Sequence, residues 1–361
     1  MSYWKSFGLA TFAVVCLLGE ATASETTGCY LQGCATEWSG GEIINLGALP
    51  GYSQSIAGGI NNAGQAVGIS YSNLAISATE WSGGKVINLG LGGANAINDV
   101  GQVVGESNGA MGGVSATEWS GGSVIDLGGL PDSLNSAAYG INDTGQAVGY
   151  SIVGGVQYAV EWSNGSIINL EGLPGFTSSS ASGINSAGQV VGDSVVGGVA
   201  YATEWNGGTV INLGPGSASG INDLGQVVGS GPGGATEWSN GSVVNLGNLP
   251  GALGSVGSAI NDAGQAAGDT YYDLDGSSIA TEWSGDSVID LGLLPGSSRS
   301  FVYGINYSGQ VVGESTGFPF VVPESSTWAM MLAGFAGLAF AGYRRAKAGD
   351  ATFARDASAV G

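Results

Sequence analysis

The chain has 361 residues, a formal net charge of −21, no histidine, three cysteines and 69 glycines. So acidic a surface repels nucleic acid and anionic lipid. Lack of histidine excludes Ser-His-Asp and Cys-His catalysis, and so few cysteines exclude a cysteine-based zinc site, which leaves an enzyme only carboxylates with Tyr or Arg.

At the N-terminus Lys5 precedes an apolar stretch over 7–18 and the small residues Ala21-Thr22-Ala23. Charge, apolar run and small-residue site in that order predict a secretory signal over 1–23, cleaved after Ala23. Cys29 and Cys34 then remain, and an even pair in an exported protein suggests a local disulfide, with two free thiols as the alternative.

Residues 24–317 are built from one repeated sentence. Glu-Trp pairs begin at Glu37, Glu80, Glu118, Glu161, Glu204, Glu237 and Glu282, at intervals of 43, 38, 43, 43, 33 and 45 residues. A second block, G-I-N-D-x-G-Q with small variations, is counted by Asn61, Asn98, Asn142, Asn185, Asn222, Asn261 and Asn306. Both counts give seven, so the period outranks any local pattern.

Within a unit, Ser-Ala-x-Gly-Ile-Asn leads through Asn-Asp-Ala-Gly to Gln-Val-Val-Gly, a hairpin whose turn Asn and Gly favour. Ala-Thr-Glu-Trp follows, then a Ser-Gly-Gly or Ser-Asn-Gly turn and a Val/Ile-rich run such as 123–127 or 166–170. Four short strands in about 40 residues, seven times, predict an all-β, seven-bladed β-propeller, with a linear β-solenoid as the runner-up. A half-unit at each end, 34–47 and 304–315, supplies two strands apiece to complete the seventh blade. Phe318 to Val322 resembles another third strand and could compete with 34–38 for that place.

Consecutive antiparallel strands put the Asn-Asp-Ala-Gly and Ser-Gly-Gly turns at one end of the blades and the other connections at the opposite end. Those other connections carry nearly all the length variation, from the Leu-Pro-Gly loops at Leu49, Leu173, Leu249 and Leu294 to the shortened links at Leu91 and Leu213. Tyr52, Tyr71, Phe176, Tyr271, Tyr272, Asp273, Asp275, Arg299 and Phe301 gather there as candidate binding residues, because variable loops on a rigid scaffold are where binding resides. Loops without a ligand are the competing reading. The Glu of each Glu-Trp pair recurs too often for catalysis and is expected to be hydrogen-bonded to backbone or hydroxyl groups; the Trp is expected between blades. Asp273-Leu274-Asp275-Gly276 begins like a calcium loop but lacks the later ligands and terminal Glu. It reads as an acidic surface loop with calcium as the alternative; no other cofactor is indicated.

After a linker over 318–327, the apolar run 328–343 precedes Arg344-Arg345-Ala346-Lys347. Its length and basic end predict a transmembrane helix with 344–361 in the cytoplasm and the repeats outside. Val322-Pro323-Glu324, the helix and the paired arginines Arg344 and Arg345 together resemble the PEP-CTERM sorting signal. That resemblance implies recognition of Pro323 and Glu324 by an exosortase-type membrane enzyme, transient anchoring in the inner membrane, and release to the cell surface or surroundings. Such systems typically accompany exopolysaccharide and biofilm production.

The repeats resemble the HAF family of extracellular repeats, most closely at 140–149, 220–229 and 259–268, although the name-giving His-Ala-Phe reads Tyr201-Ala202-Thr203 or Ser115-Ala116-Thr117 here. The resemblance implies architecture and export rather than an activity. The expected function is a non-enzymatic surface or matrix protein binding polysaccharide or protein. A carboxylate-dependent carbohydrate-active enzyme is the first alternative, and an ice-binding or structural surface protein the second, weakened because the repeated Thr falls inside the blade pattern.

Overall fold

A computed structural model describes residues 33–73, 75–109, 113–272 and 277–317. The signal segment, Cys29, Asp273, Asp275, the competing strand over 318–322, and the sorting tail from Val322 to Arg345 lie outside the described residues.

Seven four-stranded antiparallel sheets form a closed propeller. Blade one consists of Gln54–Ile60, Ala66–Tyr71, Ile76–Ser82 and Lys85–Leu91, in that spatial order. Blades two to six occupy 93–128, 133–171, 176–215, 217–245 and 254–290. The seventh is shared between the chain ends: Arg299–Ile305 and Val311–Thr316 continue into Cys34–Ser39 and Glu42–Asn45. Its joint is an antiparallel ladder from Cys34 opposite Ser315 to Trp38 opposite Val311, so the two half-units close the ring as their complementarity implied.

The strand ending Gly-Ile-Asn is innermost. Neighbouring copies approach so closely that a Cβ on Gly304 would lie 3.3 Å from the Cα of Gly59. Only small residues permit this crowding around the axis. The first two strands of every blade also share a β-bulge, between Ala57 and Gly59 in blade one and between Val302 and Gly304 in the closing blade. A Cβ opposite that bulge, at Gly68, would fall 1.9 Å from the Ile56 carbonyl oxygen. This explains the Gly after Val-Val in the repeat: the bulge aims a carbonyl into the space of a side chain.

The core is a set of seams rather than one centre. Trp119 of blade two packs on Val67 and Ala78 of blade one together with Ala94, Ile97 and Val103 of its own blade. Trp162 likewise reaches Val104 and Ala116 of the preceding blade. The repeated Trp therefore joins blades, and the repeated Thr36, Thr79 and Thr203 are fully buried.

The Glu partner differs from the expectation of backbone or hydroxyl groups. Each Glu of a Glu-Trp pair accepts a hydrogen bond from the side chain of the Gln that follows the Asn turn, as in Gln65 Nε2 to Glu80 (2.9 Å) and Gln310 Nε2 to Glu37 (2.8 Å). Strand pairing is the cause: Val67 stands opposite Glu80, which places Gln65 near that carboxylate at the start of the neighbouring strand.

Candidate functional site

The two ends of the propeller differ in kind. At the turn end, each Asn of the repeat accepts backbone N–H bonds at its side-chain oxygen and donates its amide to the Asn carbonyl of the next blade. Asn61 donates to Asn98 O at 3.1 Å and Asn98 to Asn142 O at 2.9 Å, and so on around all seven blades. The following residue extends the lattice. Asp99 accepts from the backbone N–H of Asn62 and Asp143 from the backbone N–H of Asp99, both at 2.8 Å, so this Asp bridges blades. A shallow concavity of about 230 Å³ lies over this ring, lined by the Ile-Asn-Asp/Asn turns. Its polar atoms are largely committed to holding the ring.

The loop end varies from blade to blade. Five blades carry a Ser near the start of the inner strand that staples the seam: Ser55 Oγ accepts from Ala35 N (3.0 Å) and donates to Gly47 O (2.7 Å). Blades two and five have Gly92 and Gly216 there, at φ of 124° and 132°, where a Cβ would fall 2.3 and 2.0 Å from a carbonyl oxygen of the adjacent strand. These are the blades reached through the shortened connections at Leu91 and Leu213. The seam before blade two opens into a cleft of about 560 Å³ and the one before blade five into a cleft of about 370 Å³.

The first cleft is lined by Ile69, Ile76, Leu91 and Val114, with Glu106 among its polar groups. Glu106 follows the Gly opposite the bulge, and Asn95 is the bulged residue; Asn95 Nδ2 donates to Glu106 Oε2 at 2.7 Å. Burial pushes the Glu106 carboxyl above its ordinary range, and the Asn95 bond opposes that shift. In blade three the equivalent positions hold Tyr139 and Tyr150, with ring centroids 5.6 Å apart. Burial, then Tyr150 and Glu106, push the Tyr139 hydroxyl to about 12.

A second cluster forms at the closing blade. Asp269 accepts the backbone N–H of Val302 at 2.9 Å, and burial drives its carboxyl up to about 7, helped by nearby Glu314. Glu314 is also raised by burial, and Tyr303, the bulged residue of the closing blade, donates to it at 3.4 Å. Tyr71 is raised by burial and by Glu314.

The sequence-derived candidates disperse over the loop end. Phe301 stands opposite Glu314 and Arg299 opposite Thr316, so these two and Tyr71 border the closing-blade cluster. Tyr52 bonds Ser77 through its hydroxyl at 2.6 Å, and Tyr271 is half-buried with its hydroxyl over Gly254. Tyr272 is 37% exposed. Phe176, in blade four, packs edge-on against Tyr158 at 6.0 Å. Sequence reasoning missed Asn95, Glu106, Tyr139, Asp269, Tyr303 and Glu314. Their signal was positional: each lies at the bulge or directly after the Gly opposite it, places where the side chain changes from copy to copy. Cys34 is disulfide-bonded. Among the described residues no group of three or more His, Cys, Asp or Glu side chains is placed to hold a metal.

No family model and no curated protein matches the chain. Solved structures with a similar fold include TolB from Acinetobacter baumannii, at 14% identity and a TM-score of 0.43 over 59% of this chain and 62% of that one. A putative TolB from Agrobacterium tumefaciens has 12% identity and a TM-score of 0.48 over 80% and 99%. A puromycin-hydrolyzing peptidase of Mycobacterium tuberculosis has 12% identity and 0.47 over 77% and 54%. The chain thus spans less than two thirds of the first and third of these.

Proposed function

We propose that this propeller is an exported, non-enzymatic surface or matrix protein that binds polysaccharide or protein through its loop end. The carrying observation is the division of labour between the two ends. The Asn of every Asn turn, the Gln after it and the Glu of every Glu-Trp pair are engaged in the framework of the turn end, whereas length variation and the two opened seams fall at the loop end. The resemblance of the tail to a sorting signal supports display by an exosortase-type enzyme after transient membrane anchoring. The test is a glycan array and a surface-protein pull-down with the purified mature protein, repeated with Tyr271, Tyr272 and Arg299 changed to Ala. Binding lost in that variant supports the reading; binding unchanged in it, or no binding to either panel, overturns it.

A carboxylate-dependent hydrolase is the second reading, favoured by the convergence of Asp269, Glu314, Tyr303 and Tyr71 in one buried cluster. Two carboxyl groups near one site are the minimum for glycoside hydrolysis. Turnover of a glycan that disappears with Asp269→Asn would establish it.

A further inference from the structure

Three departures from the repeat coincide at the seam between blades one and two. One residue, Gly92, links the outer strand Lys85–Leu91 to the inner strand Gly93–Ile97, whereas eight residues separate Asn45 from Gln54 at the previous seam. Gly92 replaces the stapling Ser, and Gly93 replaces the Ile56 of blade one. A Cβ on Gly93 would lie 3.0 Å from Glu106 Oε1, so the missing side chain is what uncovers that oxygen.

The resulting cleft, about 560 Å³, falls within the roughly 300–1,000 Å³ usual for small-ligand sites. Its rim is apolar and wet: Ile76 is 53% and Leu91 63% exposed. Glu106 Oε2 is held by Asn95 at 2.7 Å, while Oε1 has no hydrogen bond among the described residues. A half-buried carboxylate without a counter-charge is costly, and a cation would relieve part of that cost. Among the described residues no cation stands at this place. Lys85 begins the strand that Leu91 ends, about 20 Å away along the ladder, and Arg299 belongs to the closing blade.

We propose that this cleft binds a small alkylammonium ligand, with the ammonium on Glu106 Oε1 and the alkyl body against Ile69, Ile76, Leu91 and Val114. The proposal rests on the loop end being the binding end and assigns one of its seams a ligand class. An alcohol of the same length fills the apolar rim but leaves the carboxylate unpaired, and a carboxylic acid repels it.

The test uses the mature protein with n-hexylammonium, n-hexanol and n-hexanoate, followed through the methyl resonances of Ile76, Leu91 and Val114. Saturable shifts with the ammonium alone are expected, weakened about tenfold or more in Glu106→Gln, the scale of a lost charged hydrogen bond. Ile76→Lys, at an exposed position, is expected to weaken binding by placing a like charge on the rim. Equal binding of alcohol and ammonium, or an affinity unchanged in both variants, overturns the assignment. If hexylammonium fails while the glycan or protein ligand still binds through Tyr271, Tyr272 and Arg299, the cleft assignment falls and the binding-face reading stands. The converse result separates them the other way.

Discussion

Asn306 donates its side-chain amide to the carbonyl of Asn61, 245 residues away in sequence, at 3.0 Å. That bond closes a ring in which each blade holds the next by the same atom pair. Velcro-like strand pairing at the closing blade and this Asn ring are therefore two independent closures, one in the sheet and one at the axis.

Removing one member tests the ring. Asn306 also donates to Gln310 and accepts the Gln310 backbone N–H, so Asn306→Ala strands several buried polar groups. A loss of about 2–4 kcal/mol is expected from denaturant unfolding, since each unsatisfied group costs about 1–3 kcal/mol.

The bulge makes a sterically stronger claim. A Cβ at Gly149 would lie 2.0 Å from the Ala137 carbonyl oxygen, a backbone atom that cannot swing aside. Gly149→Ala is expected to cost about 3 kcal/mol or more, above the usual range for overpacking. A melting temperature like that of the unaltered protein would show that the bulge can be expelled.

Trp119 and Tyr272 separate scaffold from loop surface. Trp119→Ala empties a seam and is expected to destabilise by about 3–5 kcal/mol, whereas Tyr272→Ala, at an exposed position, should stay within about 0.5 kcal/mol. If Trp119→Ala leaves stability intact and removes ligand binding, the repeated Trp is the recognition element.

Asp269 sets a pH dependence. Its carboxyl rises from an ordinary 3.8 to about 7 in the fold, chiefly through burial. A raised acid is protonated in both states at low pH, where its stabilising contribution is complete. Between about 4 and 7 the unfolded chain loses the proton and the folded one keeps it, so stability falls as pH rises through that window. Glu314, Glu106 and Asp193 shift in the same direction. The melting temperature is expected to be higher near pH 5 than near pH 8, and Asp269→Asn should flatten the slope. A slope unchanged in that variant would remove Asp269 as its source.

The sorting reading is tested in a host with the matching enzyme. Changing Pro323 and Glu324 to Ala is expected to retain the protein in the membrane fraction. Release equal to that of the unaltered chain would sink the idea.

Much of the framework was legible because the repeat supplies its own statistics. A Trp recurring seven times with a Glu before it is a structural residue, and both proved to be engaged at the seams or in the Gln-Glu bonds. The candidate site was less legible. Tyr52 and Tyr71 were recognisable as aromatics near variable loops, but nothing local told that the hydroxyl of Tyr52 is held by Ser77, or that Tyr71 lies beside Glu314. Nothing local marked Gly92 and Gly216 either, although their lack of a hydroxyl is what leaves two seams without the Ser staple.

The sequence by itself determined the number of repeats, the four strands in each and the division into a turn end and a loop end, whereas closure into a ring rather than an open solenoid was decided by the pairing of the two chain ends. The first three follow from period and from strict alternation of strand direction, which are one-dimensional properties. Only the tertiary structure decided which strand lines the axis, where the bulge aims Asn95, Tyr139 and Tyr303, and which carboxyl groups lose their water. Those depend on the distance between neighbouring blades. That distance is set by packing around the whole ring, which no single repeat contains.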